Sequence, residues 1–241
     1  MRTPIHPPWY YSHFDSIFGR GASYRREVRQ LSALADFSGA HVQELGAGTG
    51  NHAAFVLELP LSKLDLVDCD PTAVSILRRR FETFPNVKVQ ARDGFGRFPA
   101  RSFDIVYCMF SVVLQGVESA RALEQRLIAV RKRLKSTGVF LFEAIDADVS
   151  ERRFPDSVKS IVYRELSAGD SVAISSHYDS YATTVRYSGF LQERPMEYEA
   201  RMLRVNRRKL LQIVSGVFGS EASAVGLDKQ GRRVLVRAQK V

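Results

Sequence analysis

A glycine-rich turn after an apolar segment is the sequence feature that most constrains the fold. The segment reads HVQELGAGTGNH over residues 41–52, with glycines at the alternate positions 46, 48 and 50. Glycine allows left-handed backbone conformations and lets a ligand come close to the main chain. A strand that ends in such a turn and continues into a helix is the unit with which α/β sheets bind small ligands. The turn therefore predicts a parallel sheet with a site at the carboxyl ends of its strands.

Strand-like and helix-like segments alternate through the first 145 residues. Apolar runs predict strands over 40–45, 63–68, 87–91, 102–109 and 137–144. Apolar residues at helical spacing predict helices over 23–37, 51–59, from 71 onward and over 117–135. Asp70 before Pro71 supports the third helix, because Asp is a favoured N-cap and Pro fits the first helical turn. Such alternation implies a parallel sheet with helices on both faces.

The pattern changes after residue 150. Segments 171–178, 182–190 and 195–203 read as consecutive strands with only short turns between them. In the last of these, four apolar residues alternate with charged ones, namely Met196, Tyr198, Ala200 and Met202. Consecutive strands with one apolar face predict an antiparallel sheet that is solvated on the other face. A helix over 206–218 and two final strands, near 221–226 and 232–238, then restore the α/β pattern.

The predicted fold class is therefore α/β: a Rossmann-like, mostly parallel sheet of seven strands with an antiparallel lid insertion. Residues 1–149 are interpreted as an N-terminal cap and the core, residues 150–205 as the insertion, and residues 206–241 as the last helix and strands of the core. Ligands of open α/β sheets bind at the carboxyl ends of the strands, so the insertion is expected to cover those ends as a lid.

Composition narrows the class of protein. The chain has 241 residues, 45% of them hydrophobic and 25% charged, which is typical of a globular protein. No apolar run reaches the ~18 residues of a membrane helix, and the N-terminus lacks the apolar core of a signal peptide, so we expect a cytoplasmic location. Cys69 and Cys108 form no CxxC motif and the histidines show no ligand spacing, so neither a disulfide nor a metal site is expected.

The formal net charge of +9 is concentrated partly in three basic runs, at 78–80, 131–133 and 207–209. All three lie in or beside predicted amphipathic helices, so they are expected to form solvated helix faces. The excess of positive charge also leaves open an anionic partner, either a phosphorylated small molecule or RNA.

The glycine turn is compatible with some ligands and not with others. A P-loop requires GxxxxGK[ST], but Asn51 and His52 follow Gly50 and no lysine is present. The dinucleotide fingerprint GxGxxG requires glycine or alanine where Asn51 stands, which weakens that interpretation. There remains Glu44 followed by the three glycines, a pattern that can hold the zwitterionic sulfonium ligand S-adenosylmethionine (SAM).

Acidic residues lie at or just after the ends of three successive predicted strands. The carboxylate of Glu44 can favour the ammonium group of SAM, and Asp68 is placed to accept hydrogen bonds from both ribose hydroxyls. Asp93, which precedes Gly94, is placed to reach the adenine amino group. Three acidic positions at three strand ends are a more specific signal than the glycines alone.

The segments VQELGAGTG, LDLVDCDP, ARDG, SFDIVYCMF and LKSTGVFLF resemble those of class I SAM-dependent methyltransferases. The segment FDSIFGRGASYRREV, the motif CMFS and the strands around SSHY are further similar to bacterial N-methyltransferases of nucleotide-linked amino sugars in antibiotic pathways. The resemblance implies SAM as cofactor, S-adenosylhomocysteine as product and an enzyme of class EC 2.1.1. It implies that the following residues bind the cofactor: Tyr24, Glu44, Gly46, Ala47, Gly48, Gly50, Asp68, Cys69, Asp93, Gly94 and Phe110.

The sequence departs from this family at one position that concerns catalysis. The amino-sugar enzymes carry a histidine shortly after CMFS, whereas this chain has Gln115 near that place, which puts an amino acceptor in doubt. Gln115 can hold a substrate but cannot take up its proton. Methyl transfer to a hydroxyl depends more strongly on a general base than transfer to an amine does, because a hydroxyl is the weaker nucleophile. His177 and His13 are the candidates for this base.

The sequence thus predicts methyl transfer to an amine or hydroxyl of a small molecule, such as a sugar or a sugar nucleotide. A phosphate or nucleotide group on the acceptor is compatible with this prediction. Because related enzymes are often dimers, a homodimer also stays open. Two alternatives remain: an RNA or nucleobase methyltransferase, and a SAM-binding protein without catalysis. The segment CMFS lacks the [DN]PP[YF] motif typical of enzymes that methylate base amines, which argues against nucleic acid.

Overall fold

A computed structural model describes residues 10–11, 23–149, 162–167, 170–178, 182–191, 194–229 and 231–241. The helices are α1 Tyr24–Leu34, α2 Asn51–Val56, α3 Pro71–Arg80, α4 Ala120–Arg133 and α5 Arg207–Phe218. The core strands are β1 His41–Leu45, β2 Lys63–Asp68, β3 Val87–Ala91, β4 Phe103–Cys108, β5 Leu134–Ile145, β10 Ser223–Gly226 and β11 Arg233–Gln239. The strands between them are β6 Val162–Ser167, β7 Asp170–Tyr178, β8 Ala182–Leu191 and β9 Arg194–Leu203.

The core is a seven-stranded sheet in the order β10-β11-β5-β4-β1-β2-β3. Strands β1 to β5 pair in parallel, whereas β11 is antiparallel to both β5 and β10. The predicted α/β fold class is confirmed. The strand order reverses between β1 and β4, and a crevice for a ligand opens at such a switch point.

Alternate residues of the sheet pack against helices on opposite faces. On one face, Val42 of β1 packs with Leu31 of α1 and Leu77 of α3. On the other face, Leu45 of the same strand packs with Leu127 of α4. Because helices cover both faces, four of the five residues of β1 are buried, including the polar Gln43 and Glu44.

Side-chain caps fix where helices α3 and α5 begin. Asp70 Oδ1 accepts a hydrogen bond from the Thr72 N–H at 2.8 Å, and Pro71 occupies the first turn of α3, as the sequence predicts. Asn206 caps α5 in the same way, through the N–H of Lys209 at 2.8 Å. Because these caps stabilise helices that begin next to strand ends, they help to hold the edge of the sheet where the site lies.

The second sheet is antiparallel, in the order β6-β7-β8-β9. Its first strand, β6, is absent from the prediction, because VYRELS carries few apolar residues. The last strand, β9, joins the core, because the N–H of Gly116 donates to the Arg201 carbonyl at 2.8 Å and the N–H of Leu203 to the Leu114 carbonyl at 3.0 Å. This sheet therefore meets the segment that follows β4. The division of the chain at residues 149 and 205 stays a prediction.

Within the described residues, no helix combines the length and apolar composition needed to cross a membrane.

Candidate active site

A cavity opens at the carboxyl ends of β1, β2 and β4, and we call it the main cavity. The predicted site residues that line it are Glu44, Gly46, Ala47, Gly48, Asp68, Cys69, Phe110 and Gln115. Residues that the prediction did not include also line it, namely Tyr10, Tyr11, Thr49, Asn51, His52, Asp70, Met109 and Val112. The topology thus brings most of the predicted cofactor residues to one place.

Two glycines of the turn are required by geometry. Both have positive φ angles, 65° at Gly46 and 56° at Gly48, a region in which side chains are strained. A Cβ atom at Gly46 would lie 2.7 Å from Cγ1 of Val112, so a larger residue would collide with the wall of the cavity. Among the described residues, a Cβ at Gly48 would come within 4.0 Å only of the Tyr11 ring, so it would project into open space there. The turn therefore presents bare backbone to a ligand.

The carboxylate of Asp68 joins the turn to the end of β2. Its Oδ2 accepts the N–H of Gly48 at 2.8 Å, and its Oδ1 accepts the N–H of Asp70 at 2.9 Å. Burial raises the pKa of Asp68, and the backbone hydrogen bonds oppose that shift. Each carboxylate oxygen can accept a second hydrogen bond. Asp68 can therefore hold the turn and still receive two hydroxyl groups from a ligand.

Glu44 lies deeper in the wall and is 2% exposed. The Tyr107 hydroxyl donates to its Oε2 at 2.8 Å. Burial raises the pKa of Glu44 to about 8, and the hydrogen bond from Tyr107 opposes the shift only partly. A cation placed beside this carboxyl would favour its ionised form. The site can therefore gain a negative charge when a positively charged ligand binds.

The formal charges that line the main cavity are of one sign. Glu44, Asp68 and Asp70 line it, and its described lining includes no lysine or arginine. Such a surface favours a ligand with net positive charge and disfavours the two negative charges of a dinucleotide pyrophosphate. The residues present thus fit SAM, which carries a sulfonium, an ammonium and one carboxylate.

The loop after β4 contains two consecutive left-handed residues that are not glycine. Phe110 and Ser111 have φ angles of 57° and 55°. Each such residue costs about 1–3 kcal/mol, so the surroundings must hold it. The Phe110 N–H donates to Glu143 Oε2 at 2.9 Å, and Gln115 Nε2 donates to the Phe110 carbonyl at 3.1 Å. Both polar groups of Phe110 are thus held by side chains from other parts of the chain.

A second cavity adjoins the first. The predicted adenine-side residues Asp93 and Gly94 line this cavity and not the main one. It also contains Arg126 of α4 and runs along Tyr198 to Arg201 of β9. Burial raises the pKa of Tyr198 to about 12, so its hydroxyl stays protonated at neutral pH. The antiparallel sheet therefore forms one wall beside the predicted cofactor residues.

The basic runs are not only solvated faces, and this expectation is corrected. Arg133 is 0% exposed, and its guanidinium donates to the carbonyls of Gly94 at 2.6 Å and Gly96 at 3.0 Å. Burial lowers its pKa to about 10. Arg80 is exposed but donates to the Thr49 carbonyl at 2.9 Å, inside the glycine turn. Two arginines of the runs thus fasten the loops that carry predicted cofactor residues.

The remaining predicted residues lie elsewhere. Tyr24 is 2% exposed and lines neither cavity; its hydroxyl accepts a hydrogen bond from Asn51 Nδ2 at 3.3 Å. Gly50 lies behind the turn as the N-cap of α2. His13 lies outside the described residues. His177 lies on β7, opposite Thr184 of β8, but its side chain is outside the described part. The roles of these residues stay predictions.

The cavity residues that the prediction missed had weak signals. Tyr10 and Tyr11 form an aromatic pair in the N-terminal segment, which the resemblance expects near the cofactor. His52 directly follows the turn, but only the structure shows its Nε2 at 2.7 Å from Oε2 of the buried Glu27. Among the described residues, no three His, Cys, Asp or Glu side chains form a group that could hold a metal.

Comparison with known proteins agrees with this geometry. Residues 42–138 match the family model of a methyltransferase domain. A search of curated proteins finds no match to the chain.

Several solved structures share the fold. A SAM-dependent methyltransferase from Clostridium acetobutylicum is 12% identical, with a TM-score of 0.76 and coverage of 95% of this chain and 97% of that one. CalS10, an amino pentose methyltransferase from Micromonospora echinaspora, is 20% identical, with a TM-score of 0.74 and full coverage of both chains. DesVI from Streptomyces venezuelae is 18% identical, with a TM-score of 0.75 and coverage of 96% of this chain and 98% of that one. At such identities these likenesses show the fold.

The matched domain, the turn and the acidic cavity together identify the chain as a SAM-dependent methyltransferase with a class I fold. The predicted enzyme class and cofactor are confirmed.

Proposed function

We propose that this SAM-dependent methyltransferase transfers a methyl group to an amine or hydroxyl of a small molecule, a sugar or a sugar nucleotide. The proposal rests on a wall that the main cavity and the second cavity share. The main and second cavities have five residues in common, namely Gly46, Asp68, Cys69, Val112 and Gln115. If adenine occupies the Asp93 end of the second cavity, the end beside β9 is left for an acceptor next to the cofactor.

Gln115 is suited to orient that acceptor. Its Nε2 donates to the Phe110 carbonyl at 3.1 Å, which leaves Oε1 as the acceptor atom of the amide. Gln115 lines both cavities. An N–H or O–H of the acceptor that donates to Oε1 would have its lone pair turned away from Gln115. Alignment of this kind is the main requirement for displacement at a methyl group.

Two cations support an acceptor that carries a phosphate or a nucleotide. Arg126 and Arg201 line the second cavity. Arg126 Nη1 donates to three backbone carbonyls, the nearest that of Gln115 at 2.7 Å. The Asp93 carboxylate acts on its charge, but the described contacts include no hydrogen bond between the two, so the guanidinium can still bind an anionic group. A guanidinium also matches phosphate geometry well.

The chemistry divides between cofactor and protein. When bound, SAM supplies an electrophilic methyl group on its sulfonium. The protein residues would hold the two molecules in line and exclude water, with Tyr10 and Tyr11 covering the main cavity. An amine acceptor can release its proton to water. A hydroxyl acceptor would need a general base, for which His177 and His13 remain the proposed residues.

The fold neighbours support the sugar acceptor. CalS10 is described as an amino pentose methyltransferase, and it covers the whole of this chain. The homodimer and the cytoplasmic location expected from the sequence stay predictions.

Methyl-labelled SAM, incubated with the protein and three separate pools, tests the proposal. The pools are nucleotide-linked amino sugars, hydroxyl-bearing sugars and bulk RNA. We expect label in a sugar pool, and the pool that is labelled decides between nitrogen and oxygen as acceptor atom. Label in RNA alone would overturn the proposal. Tight SAM binding without label in any pool would instead favour a SAM-binding protein without catalysis.

A further inference from the structure

A network of ion pairs lies behind Phe110, and its members Glu143, Arg233 and Glu27 do not line the main cavity. Glu143 on β5 is 3% exposed, and its Oε2 accepts the Phe110 N–H at 2.9 Å. Arg233 on β11 holds the same carboxylate in bidentate fashion, from Nε to Oε1 at 2.6 Å and from Nη2 to Oε2 at 2.7 Å. Bidentate pairing fixes orientation as well as distance. The carboxylate that receives the Phe110 N–H therefore cannot turn freely.

The network continues to the other side of the Phe110 ring. Arg233 Nη1 donates to Glu27 Oε1 at 3.0 Å, and Glu27 Oε2 lies 2.7 Å from His52 Nε2. The His52 ring packs against the Phe110 ring with 5.4 Å between centroids. Burial disfavours the charged form of Arg233, but the ion pairs with Glu143 and Glu27 outweigh it and raise the pKa of the guanidinium. The charge of Arg233 is thus stable at all pH values of interest.

These contacts have a consequence for the cavity. Phe110 lines the main cavity together with Gly46 and Glu44, whereas Glu143 and Arg233 do not line it. The left-handed backbone at Phe110 has no glycine to favour it. Without the Glu143 carboxylate the loop would lose the bond that holds its N–H. The wall opposite the glycine turn would then move.

We propose that Glu143 and Arg233 are positioning residues, which hold the Phe110 peptide so that the main cavity receives the amino-acid end of SAM. They act through Phe110 and touch neither cofactor nor acceptor. The inference concerns cofactor binding alone and does not depend on the identity of the methyl acceptor.

Truncated ligands separate this role from a general loss of structure. S-adenosylhomocysteine contains the amino-acid end, whereas 5′-methylthioadenosine carries the same adenosine and sulfur without it. The affinity of each ligand is measured by calorimetry for the wild-type protein, Glu143→Gln and Arg233→Lys. Arg233→Lys keeps the positive charge, so it still provides the test if Glu143→Gln fails to fold. Glu58→Gln, which alters an exposed ion pair with Arg25, is the matched control.

We expect both variants to bind S-adenosylhomocysteine about tenfold more weakly and 5′-methylthioadenosine with unchanged affinity, while the control matches the wild type for both. An equal loss for the two ligands would show a merely structural role and overturn the proposal. Unchanged affinity for both ligands in folded variants would overturn it as well. Because no acceptor is present, the result is independent of the labelling experiment.

Discussion

Asp68 and Gly48 are joined by a 2.8 Å hydrogen bond from the glycine N–H to the carboxylate Oδ2. The bond ties the glycine turn after β1 to the end of β2. The bond fixes the distance between the glycine turn and the end of β2, and a nucleoside would lie between these two segments. One carboxylate can therefore build the site and also bind the ligand, because its oxygens have further acceptor capacity.

Asp68→Asn should weaken SAM binding by about 1–3 kcal/mol, or roughly 5- to 150-fold in Kd. The amide has one oxygen, so it cannot accept from both backbone N–H groups and from ribose hydroxyls. Calorimetry checks the prediction. Asp65→Asn is the control, since Asp65 lies on the same strand and pairs with His41 and Gln90 outside both cavities. Equal SAM affinity in the two variants would show that Asp68 does not bind the cofactor.

Gly46→Ala should reduce SAM affinity through two effects that can be separated. The new Cβ would meet Cγ1 of Val112 at 2.7 Å, and a residue with φ of 65° is strained. Adding Val112→Ala relieves the contact but not the strain, so the double variant should recover part of the lost affinity. A double variant no better than Gly46→Ala would show that contact with Val112 is not the cause.

Arg133→Met should lower the free energy of unfolding by about 2–4 kcal/mol, because the buried Oε1 of Gln43 and the partly buried carbonyls of Gly94 and Gly96 lose their donor. Urea denaturation measures the loss. Lys132→Met is a close control, since Lys132 is the preceding residue of the same run and is exposed. The same small effect in both variants would restore the interpretation of the run as a solvated face.

The ligand-free protein should become less stable, relative to Glu44→Gln, as the pH rises from about 4.5 to 8. Burial raises the pKa of Glu44 from 4.5 in the unfolded chain to about 8 in the folded protein. The protonated Glu44 carboxyl therefore makes its full contribution to the free energy of unfolding below pH 4.5. This contribution is lost as the pH rises through 8. Thermal unfolding of both proteins across this range gives the difference. Two parallel curves would show that Glu44 ionises normally in the fold.

Much of the core could be predicted because its signals are local. The run KLDLVD gave the bounds of β2, and Asp70 with Pro71 marked the start of α3. By contrast, β6 was missed, since its apolar residues are too few to produce a clear alternation. Helix α1 ends at Leu34 and not at residue 37, because Ala35 already has an extended backbone.

The site was predictable where ligand chemistry demands a residue type at a strand end, as with Glu44 and Asp68. The network behind it was not. Glu27 and Arg233 are separated by 206 residues, and only the finished sheet brings them together. Likewise, no local pattern shows that Arg133 alone in its run turns inward, because its partners are the distant Gln43 side chain and the carbonyls of Gly94 and Gly96. Long-range pairing of this kind depends on the topology.

Counting the protons released when SAM binds tests the central claim, that buried carboxylates make the main cavity a site for a cationic cofactor. SAM is titrated into the protein at pH 7 in two buffers of different ionisation enthalpy. A pKa near 8 means that Glu44 holds its proton before binding, and the cation should displace it. We predict net proton release by the wild-type protein and none by Glu44→Gln. SAM binding with no proton release in either protein would contradict the account.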